Sequence, residues 1–347
     1  MRAILFLLGL CIMTTGTPAA AASPIRLVIH GGAGTIERAK LTPEREAEYT
    51  ATLAVALAAG HAVLARGGSS VDAVVAAITV MEDSPLFNAG RGAVFNHEGR
   101  NEHDASIMDG ATRSAGAIAA VGVIRNPIRA AAAVMRHSPH VMLVGAGAEQ
   151  FAREQGLEIV DPAWFRTEER WRQLQRAIAA ERILRDHDAE PASAYGKDDK
   201  RGTVGAVALD RHGNLAAGTS TGGLTNKRYG RVGDSPLIGA GTWADNRSVA
   251  VSATGTGEMF IRTAASHSVA DLVRLAGKSP ADAADATLAE VAALGGDGGL
   301  IVLDARGDYA MRFNTSGMYR GTVGEDGAGR VGIYGGPERR VHLPPPP

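Results

Sequence analysis

Gly202 and Thr203 stand where a polar stretch of the chain gives way to an apolar one. A threonine hydroxyl is a weak nucleophile and needs a base beside it. If the bond between residues 202 and 203 is broken, Thr203 gains a free α-amine, which titrates near ~7.7–8.0. That amine takes the proton of its own hydroxyl, directly or through one water, so one residue supplies nucleophile and base. The surroundings suit this chemistry. A polar linker at 188–201, with Pro191, Ser193, Gly196 and the cluster Lys197-Asp198-Asp199-Lys200, would let a new chain end move away. Gly202 puts no side chain next to the scissile carbonyl. The run 203–209 reads as a strand that holds Thr203 in place. Taken alone, Thr203 is equally a β-branched residue opening a strand, its preferred place.

Two hydroxyl clusters follow. Thr219-Ser220-Thr221-Gly222-Gly223 and Thr254-Gly255-Thr256-Gly257 each end a short apolar run. Hydroxyls and bare backbone N–H groups at strand ends make an oxyanion site; the same residues also make ordinary turns. Gly230-Arg231-Val232-Gly233-Asp234-Ser235 sets opposite charges three positions apart. Arg231 suits a bidentate grip on a carboxylate and Asp234 suits an ammonium, together an amino-acid head group. A surface salt bridge is the other reading of that pair.

Two competing chemistries fit less well. Gly32-Ala33-Gly34 and Gly145-Ala146-Gly147 each follow an apolar run, but Glu37 and Gln150 stand where a dinucleotide fingerprint needs its third glycine. His97, Glu98, Glu102, His103 and Asp104 are ligand types without helical zinc spacing, and Gly99 interrupts them. They read as solvated loop charges.

The elements that must position Thr203 follow from periodicity and punctuation. Residues 25–30 read as a strand running into a glycine loop. Thr42-Pro43 starts a helix that runs to Arg66, and Gly67-Gly68 stops it. Ser70 caps a second helix through Val80. Both are alanine-rich and weakly charged, so both belong against a sheet. A strand at 113–123, helices at 127–136 and 167–186, and a strand at 141–144 complete the first half. After the linker come short strands at 203–209 and 215–219 around His212-Gly213-Asn214, a strand at 248–253, a helix from Ser279-Pro280 to Leu294, a hairpin of 300–303 with 309–313, and a frayed tail at 344–347. Helices and strands in separate runs give an α+β class, with two helical layers around two packed sheets.

Composition bounds the rest. The 347 residues are 45% hydrophobic, enough for a large core, and 36 basic against 37 acidic residues leave a formal charge of −1. Nucleic acid and anionic membranes are therefore poor partners. Arg2, the apolar run 4–13 and the small residues before Ser23 form a secretory signal at 1–22, cut after Ala22 and too short to span a bilayer. Its removal takes away Cys11, the single cysteine. Disulfides and thiolate chemistry are then excluded. Export to a periplasm, or outside the cell, is the expected destination, with no membrane contact after removal.

Six segments carry a resemblance that spans the chain in order: Ile29-His30-Gly31-Gly32-Ala33-Gly34, Phe87-Asn88-Ala89-Gly90, Gly202-Thr203-Val204-Gly205-Ala206-Val207-Ala208, Thr219-Ser220-Thr221-Gly222-Gly223, Gly230-Arg231-Val232-Gly233-Asp234-Ser235-Pro236 and Phe313-Asn314-Thr315. Together they resemble the plant-type asparaginases, also called isoaspartyl peptidases. The resemblance implies a four-layer αββα sandwich of the N-terminal nucleophile hydrolase type. It implies autocleavage into an α subunit at 23–202, whose linker is 188–202, and a β subunit at 203–347, the two forming one globular domain, and a dimer of these αβ heterodimers. It implies that Thr203 is the nucleophile assisted by Thr221 and Thr254, that the Thr254 hydroxyl and Gly255 N–H form the oxyanion hole, and that Asn88 approaches the oxyanion or the α-chain loop. Arg231 and Asp234, with Gly255 and Gly257, would hold the substrate head group. No cofactor is implied for the chemistry. A structural sodium ion is implied on backbone carbonyls of Met81, Glu82, Ser84, Phe87, Ala89 and Arg91, although Arg91 stands where an apolar residue is expected and its charge opposes a cation. The expected substrates are small: isoaspartyl dipeptides in preference to asparagine. A related glycosylasparaginase is the alternative within the class, where Asn is expected in place of Gly223. A non-catalytic exported amino-acid-binding protein is the alternative outside it.

Overall fold

The computed structural model describes residues 23–180 and 202–346. The signal at 1–22, the linker at 188–201, the end of the helix expected at 167–186 and the last proline of the tail lie outside the described residues. In chain order these form β1 (Arg26–Gly34), α1 (Pro43–Ala65), α2 (Ser70–Asp83), β2 (His103–Asp109), β3 (Ala115–Val121), α3 (Pro127–His137), β4 (Met142–Val144), α4 (Gly145–Glu154), α5 (Glu168–Ala179), β5 (Val204–Leu209), β6 (Leu215–Thr221), β7 (Thr242–Ala244), β8 (Val249–Gly255), α6 (Gly257–Arg262), α7 (Ala265–Ala276), α8 (Pro280–Ala293), β9 (Gly298–Asp304), β10 (Tyr309–Phe313), β11 (Gly317–Gly324), β12 (Gly329–Tyr334) and β13 (Arg339–Val341).

The strands make two sheets. A nine-stranded sheet has the order β13-β12-β11-β1-β5-β6-β2-β3-β4, and a four-stranded sheet has the order β10-β9-β8-β7. α1, α2 and α3 cover the outer face of the larger sheet, and α7 and α8 cover that of the smaller. β1, β5 and β6 face β8 and β9 across the middle. The result is the αββα order expected from the sequence.

Strand alternation decides which residues enter which layer. Val204, Ala206 and Ala208 of β5 point to the core beneath α1–α3. Val207 and Leu209 point between the sheets, beside Val28, Met108, Leu215 and Ala217. Burying each of the larger side chains among these contributes about 1.5–3 kcal/mol. Toward Thr203 the inter-sheet face turns from apolar to polar, because Gly205, Thr219, His30 and Ser106 replace the hydrophobes. The site is therefore the polar end of an otherwise apolar layer.

Helix starts follow local chemistry. Thr42 accepts from the Arg45 N–H and Pro43 fills the first helical position of α1. α2 is capped by Ser69, one residue before the expected Ser70; Ser70 instead donates its N–H to the Asp210 carboxylate. By length and composition α1 could cross a bilayer, but it packs on α2, β1 and β11. Two further departures concern glycine. Gly32-Ala33-Gly34 is not a loop after β1 but its last three residues, and Gly145-Ala146-Gly147 opens α4.

Candidate active site

β5 pairs antiparallel with β6, with Gly205 opposite Thr219 and Val204 opposite Ser220. Continuing that register by one residue puts Thr203 opposite Thr221, on the inter-sheet side. Their hydroxyl oxygens are 2.9 Å apart. Thr221 Oγ1 also accepts from the Gly223 N–H at 3.1 Å, so its own proton is free to be donated to Thr203 Oγ1. Such a donor stabilises developing alkoxide character. Thr203 is half-buried and Thr221 buried, which limits competition from water.

Asn88 organises the opposite wall. Its side chain donates to the Gly223 carbonyl (2.8 Å) and accepts from the Val94 N–H (3.0 Å). Its backbone carbonyl accepts from the Gly222 N–H (3.0 Å), and its backbone N–H donates to the Gly202 carbonyl at 3.3 Å. That carbonyl belongs to the bond expected to break. Gly202 also lies against Gly32, whose φ is +107°. A Cβ there would come within 2.5 Å of the Gly202 α-carbon, which accounts for a bare glycine at both positions.

Thr254 and Gly255 end β8 in the facing sheet, with Thr254 buried. Gly255 has φ of +150°, and a Cβ on it would meet the Asp297 carbonyl at 2.2 Å, so no other residue fits. Gly257 marks where the anchors converge: a Cβ there would lie 2.7 Å from Arg231 Nη2 and 2.9 Å from Asp234 Oδ1. Thr203, Thr221, Asn88, Gly255, Arg231 and Asp234 line one small cavity. A larger groove of about 510 Å³ beside Arg38 and Tyr334 lacks any of these residues.

The anchors differ from the sequence expectation in one respect. Arg231 is paired with Glu258, Nε to Oε1 at 3.0 Å and Nη2 to Oε2 at 3.2 Å, and not with Asp234. The guanidinium presents Nη1 toward Gly223 and Gly233. Asp234 is 5% exposed and its Oδ2 has no hydrogen-bond partner among the described residues. Burial raises its carboxyl to about 7, with Arg231 opposing the rise. A substrate ammonium at that oxygen would satisfy the group and restore its charge. Tyr229, just before Gly230, is 97% exposed with φ of +59°.

The cluster at 97–104 corrects the sequence reading. Among the described residues no group of three or more His, Cys, Asp or Glu is placed to hold a metal. The cluster is also not a run of solvated charges: His103 and Asp104 lie fully buried on β2. Burial and the Lys227 charge push His103 down to about 3, so it is neutral. Burial pushes Asp104 up, with Lys227 opposing. Lys227 is itself 2% exposed and donates to the Glu102 carbonyl at 3.2 Å. A lysine taken out of water needs such partners, and it sits directly behind Gly223.

The loop between Met81 and Arg91 winds around its own carbonyls. A Cβ at Gly92 would lie 2.0 Å from the Phe87 carbonyl and 2.9 Å from that of Pro85; one at Gly90 would lie 2.3 Å from the Glu82 carbonyl. Oxygen donors of this kind fit a hard cation. The Arg91 guanidinium is stacked over Trp164 at 5.0 Å, which gives that charge a partner outside the loop. The Glu82 side chain turns the other way. It accepts from Ser220 Oγ (2.6 Å) and from the Ile128 N–H (2.9 Å), thereby capping α3, whose own Asn126 makes no side-chain cap. Full burial raises Glu82 to about 8.

A family model described as Asparaginase matches residues 23–333. The chain is similar to the isoaspartyl peptidase of Salmonella typhimurium, 50% identical over 309 residues that cover 89% of this chain and 98% of the relative. It is 49% identical to the isoaspartyl peptidase of Escherichia coli, covering 89% and 95% respectively. It is 41% identical to the isoaspartyl peptidase/L-asparaginase of Xenopus laevis, again over 89% and 95%.

Proposed function

The chain belongs to the asparaginase family, and from that premise we propose that this hydrolase cuts itself before Thr203 and then releases aspartate from β-aspartyl dipeptides and asparagine. The observation that carries the reading is the junction at 202–203. Thr203 Oγ1 lies 2.9 Å from the Thr221 hydroxyl, and the Gly202 carbonyl lies under the Asn88 N–H. In self-cleavage, Thr203 Oγ attacks the Gly202 carbonyl carbon and the C–N bond breaks as the hydroxyl proton passes to the nitrogen, which leaves an ester and a free Thr203 amine; water then hydrolyses the ester to the Gly202 carboxylate and the Thr203 hydroxyl. The Asn88 N–H is where negative charge develops on that carbonyl oxygen.

Hydrolysis reuses the same group. The α-amine of Thr203 takes the hydroxyl proton as Oγ bonds to the substrate β-carbonyl carbon. Thr254 and the Gly255 N–H receive the oxyanion. The C–N bond breaks and the leaving amine departs with the proton held by the Thr203 ammonium. Water then adds to the acyl carbon, the Oγ–C bond breaks, and aspartate leaves. Arg231 and Asp234 fix the aspartyl head group, so the β-carbonyl is the one presented. Nucleophile, base and oxyanion donors are all protein groups, so the steps need no cofactor. A sodium ion in the Met81–Arg91 loop would stiffen the segment that carries Asn88, and no step runs through it. The same reading makes the working form a dimer of αβ heterodimers exported to a periplasm. The signal pattern at 1–22 supports the export.

The test is aspartate release by wild type and by Thr203→Ala from a β-aspartyl dipeptide, asparagine and a glycosylated asparagine. Wild type is expected to favour the dipeptide. Thr203→Ala is expected to stay a single chain on a denaturing gel and to release no aspartate. Activity surviving in Thr203→Ala contradicts the mechanism. A preference for the glycosylated substrate moves the assignment to glycosylasparaginase.

A further inference from the structure

One position inward from the nucleophile, the inter-sheet layer holds a buried line of hydroxyls that ends on a histidine. Register places it. His30 on β1 and Thr219 on β6 both lie opposite Gly205 on β5, and Ser106 on β2 lies opposite Thr219. In the facing sheet Ser252 on β8 lies opposite Thr242 on β7. All five polar side chains are 0% exposed. Ser252 Oγ is 2.9 Å from His30 Nε2 and 2.6 Å from Thr219 Oγ1. Thr242 Oγ1 is 2.6 Å from Thr219 Oγ1, and Ser106 Oγ is 2.8 Å from Thr242 Oγ1. The other face of the ring closes the line on the site: His30 Nδ1 is 3.1 Å from the Thr203 carbonyl oxygen.

Proton placement along this line is constrained. A carbonyl oxygen only accepts, so Nδ1 of His30 carries the proton that meets Thr203. In a neutral ring Nε2 is then bare, and Ser252 must donate to it. Ser252 must accept from Thr219, and Thr219 from Thr242; the single Ser106 proton is shared between Thr242 Oγ1 (2.8 Å) and the Ser235 carbonyl (2.6 Å). The opposite order also satisfies every hydroxyl, ending on the Gly241 carbonyl (3.0 Å from Thr219 Oγ1) and the Ser235 carbonyl (2.6 Å from Ser106 Oγ). It requires protons on both ring nitrogens, which places a charge deep between the sheets at high cost.

Gly205 is what lets the ring and Ser252 meet. A Cβ there would fall 2.0 Å from Ser252 Oγ and 2.3 Å from His30 Nε2. The glycine two residues after the nucleophile is thus bare because this hydrogen bond crosses it.

We infer that Ser252, Thr219 and Thr242 are positioning residues: by donating in sequence to His30 Nε2 they hold its ring as the Nδ1–H tautomer, and that N–H fixes the main chain of Thr203. This rests on Thr203 being the nucleophile. The line touches no substrate anchor with a side chain, so its loss acts on turnover, not on head-group binding.

The test compares processed wild type, Thr203→Ala, Thr219→Val and Thr219→Ser on a β-aspartyl dipeptide, with ring 15N spectra of histidine-labelled wild type. Thr219→Val keeps the shape and removes the link, and is expected to lower kcat about tenfold with KM within about twofold, the size of one lost buried hydrogen bond. Thr219→Ser keeps the hydroxyl and should restore kcat. The wild-type spectrum should show a buried ring protonated at Nδ1 alone. Unchanged kcat in Thr219→Val, equal losses in both Thr219 variants, or His30 protonated at Nε2 overturns the inference. If Thr219→Val is not recovered in processed form, the wild-type ring spectrum decides alone. An active Thr203→Ala would instead remove the reading beneath it.

Discussion

Thr203, Thr221 and Asn88 line one end of the cleft with uncharged groups, on strand ends and one tight loop. Arg231, Asp234 and Glu258 meet through charges, on a loop and the start of the short helix α6. The two halves of the cleft ask different things of the protein. Attack on a carbonyl needs oxygen and nitrogen atoms fixed in position, which paired strands supply at little electrostatic cost. On the proposed reading the charged half recognises a zwitterion, which needs full charges held out of water and raises their energy; Asp234 Oδ2 has no hydrogen-bond partner among the described residues. Variants at the first end should therefore move kcat, and variants at the second should move KM.

The sharpest division comes from Thr221→Val, which keeps the shape and removes the hydroxyl beside Thr203. It should lower kcat by about 10²–10³ with KM nearly unchanged. A change in KM alone would erase the distinction between the two ends. Arg231→Ala is next. It removes one charge of the head-group site together with its ion pair to Glu258, so KM should rise about a hundredfold while kcat changes far less; steady-state kinetics on a β-aspartyl dipeptide measures both.

A smaller effect follows from pH. Asp234 has to be ionised to hold an ammonium, and burial has raised it to about 7. KM should therefore be lowest above that value and climb as pH falls through it, by about tenfold per unit well below. Asp234→Asn should raise KM and flatten that limb. The last effect concerns stability alone. Glu82 is raised from 4.5 to about 8, so the folded state holds a proton that the unfolded chain has released. Its contribution is fully present below about 4.5 and is lost as pH rises to about 8. Glu82→Gln, neutral throughout, should lose less melting temperature than wild type between those limits, read by thermal unfolding at a series of pH values.

The sequence carried the nucleophile end further than the anchoring end, for physical reasons. The hairpin of β5 and β6, the caps of α1 and α8, and the pairing of Thr203 with Thr221 depend on local alternation and on residues fewer than twenty apart. Arg231 and Asp234 were legible as charges, but the partner of Arg231 was not, because Glu258 arrives from another element. His103 and Asp104 read as solvated, since only tertiary packing decides that a charged stretch is a buried strand. His30 was visible only as part of a glycine motif; its contact with Ser252 spans 222 positions. β11 and β12 were missed because Gly317, Gly321, Gly324, Gly329 and Gly332 weaken their strand pattern.

Intact-mass and N-terminal sequencing of the purified, active protein test the central claim most directly. The account predicts a chain that begins at Thr203 and runs to the C-terminus, in equal amount with its upstream partner, in every preparation that hydrolyses substrate. Full activity in a preparation whose bond between residues 202 and 203 is unbroken would contradict it.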